Sequence, residues 1–217
     1  MEIVLIDYGA GNLRSAAKGF ERMAAETGYS GRIVVTDDAK AVERAERIVL
    51  PGDGAFADCL AGVMAVPGLR DALEEAVIVR RRPFLGICIG MQLMAERGLE
   101  HGVHQGFGWI KGEVARIVRS DPALKIPHMG WNQLDIQRTD HPALQGLGGG
   151  SEKPYAYFLH SYQFTKTNPH EVLATTDHGG PIVAIVGRDN MIGTQFHPEK
   201  SQQAGLRLLA NFLRWRP

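Results

Sequence analysis

Apolar residues along the first half of the chain alternate between two patterns. Short runs rich in β-branched residues, at 3–7, 33–35 and 48–50, predict buried strands. Between the first two, Leu13, Ala16, Ala17, Phe20 and Ala24 recur at helical spacing, and after the third Leu69, Ala72, Leu73, Ala76 and Val77 mark another helix face. Pro83 closes that helix, because it offers no amide hydrogen and drives the residue before it out of helical dihedrals. Residues 84–88 predict a further buried strand, followed by a helical pattern through Met91, Leu93 and Met94. Strand and helix in this alternation build a parallel sheet.

The second half changes rhythm. Strand-like segments at 108–118, 133–136, 157–164 and 172–175 are separated by Gly, Pro, Asn and Asp, and predict antiparallel additions to the sheet. Residues 182–186 and 191–196, joined by 187–190, predict a hairpin whose second strand ends at His197. A last helix starts near Ser201, a suitable N-cap, with Leu206, Leu209, Ala210 and Leu213 on one face. The Gly-rich patch Gly148, Gly149, Gly150 and Ser151 predicts a loop, since neither flank carries the makings of a separate core. The fold class that follows is α/β: an open, mostly parallel sheet flanked by helices with antiparallel additions, in one domain over 1–217.

Composition narrows the function classes. The 217 residues carry 24 Lys+Arg against 24 Asp+Glu, so no chain-wide field attracts polyanions, and nucleic acid is not the expected partner. The N-terminus lacks the basic start and long apolar core of a signal peptide, and no stretch is long enough to span a bilayer, which predicts no membrane partner and a cytoplasmic setting. Two cysteines, Cys59 and Cys88, are too few for a disulfide framework and lack zinc-site spacing.

Candidate chemistry gathers at the ends of predicted strands. Gly86-Ile87-Cys88-Ile89-Gly90 sits where a strand turns abruptly into a helix, which is the setting of a nucleophile elbow. Flanking glycines give the tight turn room, and the helix aims amide hydrogens at the sulfur, favouring thiolate. An isolated Gly-x-Cys-x-Gly matches by chance, but His197-Pro198-Glu199 at the end of the last strand supplies what a thiol nucleophile needs, a base in His197 and its orienter in Glu199. Pro51-Gly52-Asp53-Gly54 follows another strand and offers a backbone amide to an oxyanion, with the Ile89 amide as second donor.

Pro-Gly-x-Gly, Gly-x-Cys-x-Gly-Met-Gln and His-Pro-Glu in this order resemble the class I glutamine amidotransferases, over nearly the whole chain. Asp7 to Leu13, Pro127-His128-Met129-Gly130-Trp131-Asn132, Tyr157 to Tyr162 and Gln195 to Lys200 sharpen the resemblance to the glutaminase subunits of imidazole glycerol-phosphate synthase. The resemblance implies a triad of Cys88, His197 and Glu199, an oxyanion hole at the Asp53 and Ile89 amides, and a glutamine pocket lined by Gly54, Gln92, His160, Ser161 and Tyr162. It implies a heterodimer with a cyclase-barrel subunit, met at or near Asn12, Met129, Trp131, Tyr157 and Lys200. It further implies ammonia supply for histidine biosynthesis, a 5-aminoimidazole ribonucleotide by-product from the cyclase that links to purine synthesis, and low activity without the partner. Asp53 departs from the family pattern, where apolar residues are more usual; its carboxylate is expected to face solvent or a partner's cation, because an anion beside a developing oxyanion opposes it.

The chemistry so implied is attack of the Cys88 thiolate on the glutamine amide carbon, departure of ammonia and hydrolysis of the glutamyl thioester, with no cofactor and no metal. Rival readings are a glutaminase serving a pyridoxal phosphate, anthranilate or guanylate synthase, a non-catalytic regulatory subunit, and a stand-alone cysteine hydrolase. Gly9-Ala10-Gly11 is not read as a dinucleotide fingerprint, since Arg14 stands at the third glycine position. His101 and His104 lack further ligands and predict surface loop residues, Cys59 a small core residue, and Arg80 to Arg82 a solvated helix end.

Overall fold

The computed structural model describes residues 2–147 and 153–217. In chain order the first half comprises β1 (Glu2–Ile6), α1 (Leu13–Thr27), β2 (Arg32–Thr36), α2 (Ala39–Arg44), β3 (Arg47–Gly52), α3 (Phe56–Ala65), α4 (Leu69–Leu73), a π-helical turn (Glu74–Val79), β4 (Phe84–Cys88) and α5 (Ile89–Gln92). Then follow β5 (Ala95–Gly98), β6 (His104–Gln105), β7 (Ile110–Arg116), β8 (His128–Gln133), β9 (Asp135–Ile136), β10 (Tyr155–His160), β11 (Tyr162–Thr165), β12 (Val172–Asp177), β13 (Pro181–Arg188), β14 (Met191–Thr194) and α6 (Gln202–Arg214).

Among the described residues the main sheet runs β2-β1-β3-β4-β14-β13-β12-β9. Its first five strands are parallel and the last three antiparallel, the architecture predicted from the two rhythms. The parallel strands are nearly continuous in apolar residues because helices cover both faces. Strand order reverses between β1 and β3, so right-handed crossovers put α1 on one face and α2 to α4 on the other. Such a reversal opens a crevice beyond the carboxyl ends of the strands, where ligands bind in open α/β sheets. α6 returns to the α1 face, where Phe20 and Phe212 meet edge to face at 6.0 Å. Buried Arg47 donates to the carbonyls of Phe212 and Trp215, tying the end of α6 to β3. No helix among the described residues is long and apolar enough to cross a membrane.

Several predicted elements are corrected by tertiary pairing. The helix expected through Met91, Leu93 and Met94 stops at Gln92. The carbonyls of Leu93 and Met94 instead accept amides of Phe107, Trp109 and Ile110, so a single helical turn, not a long dipole, follows Cys88. The segment 157–164 divides at Ser161 into β10, paired with β8, and β11, paired with β7. The segment 133–136 is likewise shared between β8 and edge strand β9. The last hairpin closes on Asp189 and Asn190 alone, and β14 ends at Thr194, three residues before His197. Ser201 occupies the N-cap position of α6 without a side-chain cap, because its hydroxyl is engaged elsewhere. The glycine patch at 148–151 lies outside the described residues.

Candidate active site

The elbow is built by close packing. Cys88 ends β4 at φ 55°, ψ −110°, a conformation that costs a non-glycine residue about 1–3 kcal/mol and persists only when its surroundings enforce it. Here they do: a Cβ on Gly90 would lie 1.8 Å from the Leu50 carbonyl oxygen, and one on Gly86 would lie 2.6 Å from that of Gly90. The strain turns the Cys88 side chain off the strand end into a cavity of about 320 Å³.

The base lines the same cavity. After β14 the chain leaves the main sheet, and the His197 amide donates to the Tyr157 carbonyl of β10 at 3.0 Å. The Ser201 hydroxyl donates to the His197 carbonyl at 2.6 Å and accepts the Tyr157 amide at 2.9 Å, clamping the base to β10. Nδ1 of His197 donates to Glu199 Oε1 at 3.0 Å, with both side chains nearly inaccessible, so the other ring nitrogen carries the exchangeable proton. Burial alone would lower the His197 pKa, but hydrogen bonding and charge from Cys88 and Glu199 outweigh it and raise it to about 10. The group is therefore set up as an imidazolium beside the Cys88 sulfur.

The predicted pocket residues Gly54, Gln92, His160, Ser161 and Tyr162 all line this cavity, as do Asp53 and Ile89. Gln92 Nε2 donates to the Tyr162 carbonyl at 3.2 Å and to Gln195 Oε1 at 3.0 Å, while its own Oε1 has no partner. His160 Nδ1 donates to the Tyr162 carbonyl at 2.8 Å, so its Nε2 must accept, and His128 Nδ1 donates to it at 3.0 Å. Burial first, then neighbouring histidines, lower the His128 pKa to about 3; burial likewise lowers His160 to about 4, keeping both rings neutral. Asp53 is exposed as expected, its Oδ1 accepting the Gly11 amide at 2.8 Å.

Of the residues expected at a partner interface, Asn12 and Lys200 reach the cavity mouth, whereas Met129, Trp131 and Tyr157 do not line it. Register pairs Met129 with Leu159 and Trp131 with Tyr157 on one face of the β8–β10 ribbon. That face is 66% exposed at Met129 and 47% at Trp131, and Lys200 lies over the Tyr157 ring at 6.0 Å. It forms an apolar patch continuous with the cavity mouth.

Three contributors escaped sequence reasoning. Gln195, fully buried, directs Nε2 at the Cys88 sulfur at 3.8 Å. Glu100 lines the cavity and accepts the Phe56 amide at 2.8 Å. Cys59 is buried as expected, yet its thiol also donates to the Asp53 carbonyl at 3.1 Å, and burial pushes its pKa up to about 11. Only the position of Gln195 two residues before His197 carried a local signal. No cluster of three or more His, Cys, Asp or Glu that could hold a metal occurs among the described residues.

Comparison with known proteins agrees with this geometry. The family model described as glutamine amidotransferase class-I matches residues 4–215. Imidazole glycerol phosphate synthase subunit HisH of Mesorhizobium japonicum is 58% identical, and that of Cereibacter sphaeroides 59%, each over 100% of both chains. A crystal structure described as a glutamine amidotransferase shares the fold at a TM-score of 0.70 and 18% identity, covering 97% of each chain. A cysteine elbow, a buried His–Glu pair and full-length identity at this level place the chain in the class I glutamine amidotransferases, in the group of imidazole glycerol phosphate synthase subunit HisH.

Proposed function

We propose that the chain hydrolyses L-glutamine to glutamate at Cys88 and delivers the ammonia to the cyclase subunit of imidazole glycerol phosphate synthase, as one half of a cytoplasmic heterodimer in histidine biosynthesis. The observation that carries this reading is the convergence of Cys88, the raised His197 and its buried Glu199 partner on one cavity of amino-acid size. One buried cluster running from Ile3 to Trp215 supports a single glutaminase domain over 1–217.

Cys88 attacks the amide carbon as thiolate, and the imidazolium of His197 protonates the departing nitrogen, so that ammonia leaves and a glutamyl thioester remains. Neutral His197 then takes a proton from water as it attacks the thioester, releasing glutamate and restoring the ion pair. The Asp53 and Ile89 amides hold the oxyanion in both steps. Glu100 offers a carboxylate to the substrate's ammonium, and Gln92 an unused acceptor beside it. The exposed face of Met129, Trp131 and Tyr157, with Asn12 and Lys200 at the cavity rim, is read as the docking surface. Ammonia released there leaves through the partner without crossing water.

The test is glutamate release by wild type and Cys88→Ala, each with and without the cyclase subunit and its nucleotide ligand. Partner-stimulated release that the substitution abolishes is expected. Release indifferent to the partner would remove the synthase assignment, and no release under any condition would favour a non-catalytic subunit.

A further inference from the structure

An acidic side chain beside a site that must stabilise negative charge calls for a reason. Asp53 sits in the turn after β3, at the sheet's reversal point, and its carboxylate reaches across to the loop after β1, where Oδ1 accepts the Gly11 amide at 2.8 Å. The approach is close. Gly11 adopts φ +96°, and a Cβ there would lie 2.9 Å from Pro51 Cβ and 3.1 Å from the Pro51 carbonyl carbon, so only glycine lets the two loops meet. Two more contacts secure the same turn: the Tyr8 hydroxyl donates to the Pro51 carbonyl at 2.7 Å, and the Cys59 thiol donates to the Asp53 carbonyl at 3.1 Å. On the opposite side a Cβ at Gly52 would lie 2.7 Å from the Gly90 amide nitrogen, so the turn is also seated directly on the elbow.

We propose that the Asp53 side chain is a positioning group for the reaction, acting as a hydrogen-bond acceptor that latches the oxyanion turn to the Gly11 loop and so fixes the distance of the Asp53 amide from the Cys88 site. The proposal rests on the reading of that turn as the oxyanion loop. An oxyanion donor works only within a few tenths of an ångström of its ideal distance, so a turn held by Pro51, Asp53 and Gly52 contacts but released at one corner loses rate without losing the fold. The latch also explains how the charge is tolerated: the carboxylate is drawn toward a backbone donor and out to solvent. Acceptance is what matters, not charge.

Asp53→Asn keeps the acceptor and removes the charge, whereas Asp53→Ala removes both. In the complex with the cyclase subunit and its nucleotide ligand, kcat for glutamate release is expected to fall about tenfold in Asp53→Ala, less than the loss from deleting a donor outright, with KM unchanged. Asp53→Asn should recover most of that loss. Alkylation of Cys88 by iodoacetamide, a displacement that forms no oxyanion, should proceed equally in all three. A wild-type rate in Asp53→Ala would overturn the latch, as would equal losses in both variants or alkylation that slows in step with turnover. Release that survives Cys88→Ala would instead overturn the reading of the site, and the latch with it.

Discussion

His197 shows how two neighbours can reverse the effect of burial on one side chain. Its pKa stands at about 10 where burial alone would depress it below 6.5. A histidine raised in this way stays charged far into the alkaline range. The alkaline limb of kcat/KM for glutamine is therefore expected to fall toward pH 10 and not near 6.5. Glu199→Gln should move that limb down and cut kcat at least about tenfold, since the amide holds the ring less well and does not balance its charge. Unchanged limbs in the two proteins would separate Glu199 from the titration. The stability that His197 gains from its partners is complete below about 6.5 and is lost as pH rises through about 10. At this scale the chain was most readable: Cys88, His197 and Glu199 announced themselves by residue type and by place in the strand–turn pattern. Gln195 and Glu100 did not, because glutamine and glutamate carry no chemistry specific enough to stand out until the fold sets them beside a sulfur or a cavity.

The elements position the base more than they position the nucleophile. Cys88 needs only its strand and its glycines, whereas His197 lies beyond the end of β14 and depends on β10 for its place. The Ser201 hydroxyl serves both partners at once and is 1% exposed. Ser201→Ala leaves the Tyr157 amide without a partner and the His197 carbonyl with the Lys200 amide alone, and should cost about 2 kcal/mol of stability together with a fall in kcat larger than any change in KM. Urea unfolding and steady-state kinetics check this; unaltered stability would mean that the segment repairs itself. Ser201 was legible as a helix cap because Ser before an apolar-faced helix fits that role, and the tertiary clamp overrode it. The same competition shortened α5 and split β10 from β11, since carbonyls and amides pair with whichever strand arrives, a choice that local periodicity does not encode.

Over the whole molecule, surface pattern and buried histidines make two further predictions. Trp131 is 47% exposed among the described residues, so Trp131→Glu should leave the melting temperature near that of wild type while abolishing stimulation by the cyclase subunit. Stimulation that survives would move the docking surface elsewhere. The His128–His160 pair acts on the fold in the opposite sense from His197. Both pKa values are lowered, to about 3 and about 4, so the unfolded chain binds more protons in mild acid. Their contribution is present in full above about 6.5 and drains away below it, by up to about 1.4 kcal/mol per pH unit for each ring. Denaturant midpoints measured from pH 7 to 5 should fall, and fall less in His128→Asn.

The sequence by itself determined the type of the first-half strands and their helices, and the elbow and its base, because those depend on local periodicity, glycine placement and residue chemistry. Only the tertiary structure decided where the second half pairs, what holds His197, and what Asp53 does. Those outcomes turn on hydrogen bonds between residues far apart in the chain, such as Gly11 with Asp53 or Tyr157 with His197 and Ser201, and a backbone donor chooses its acceptor only once packing has brought the two together.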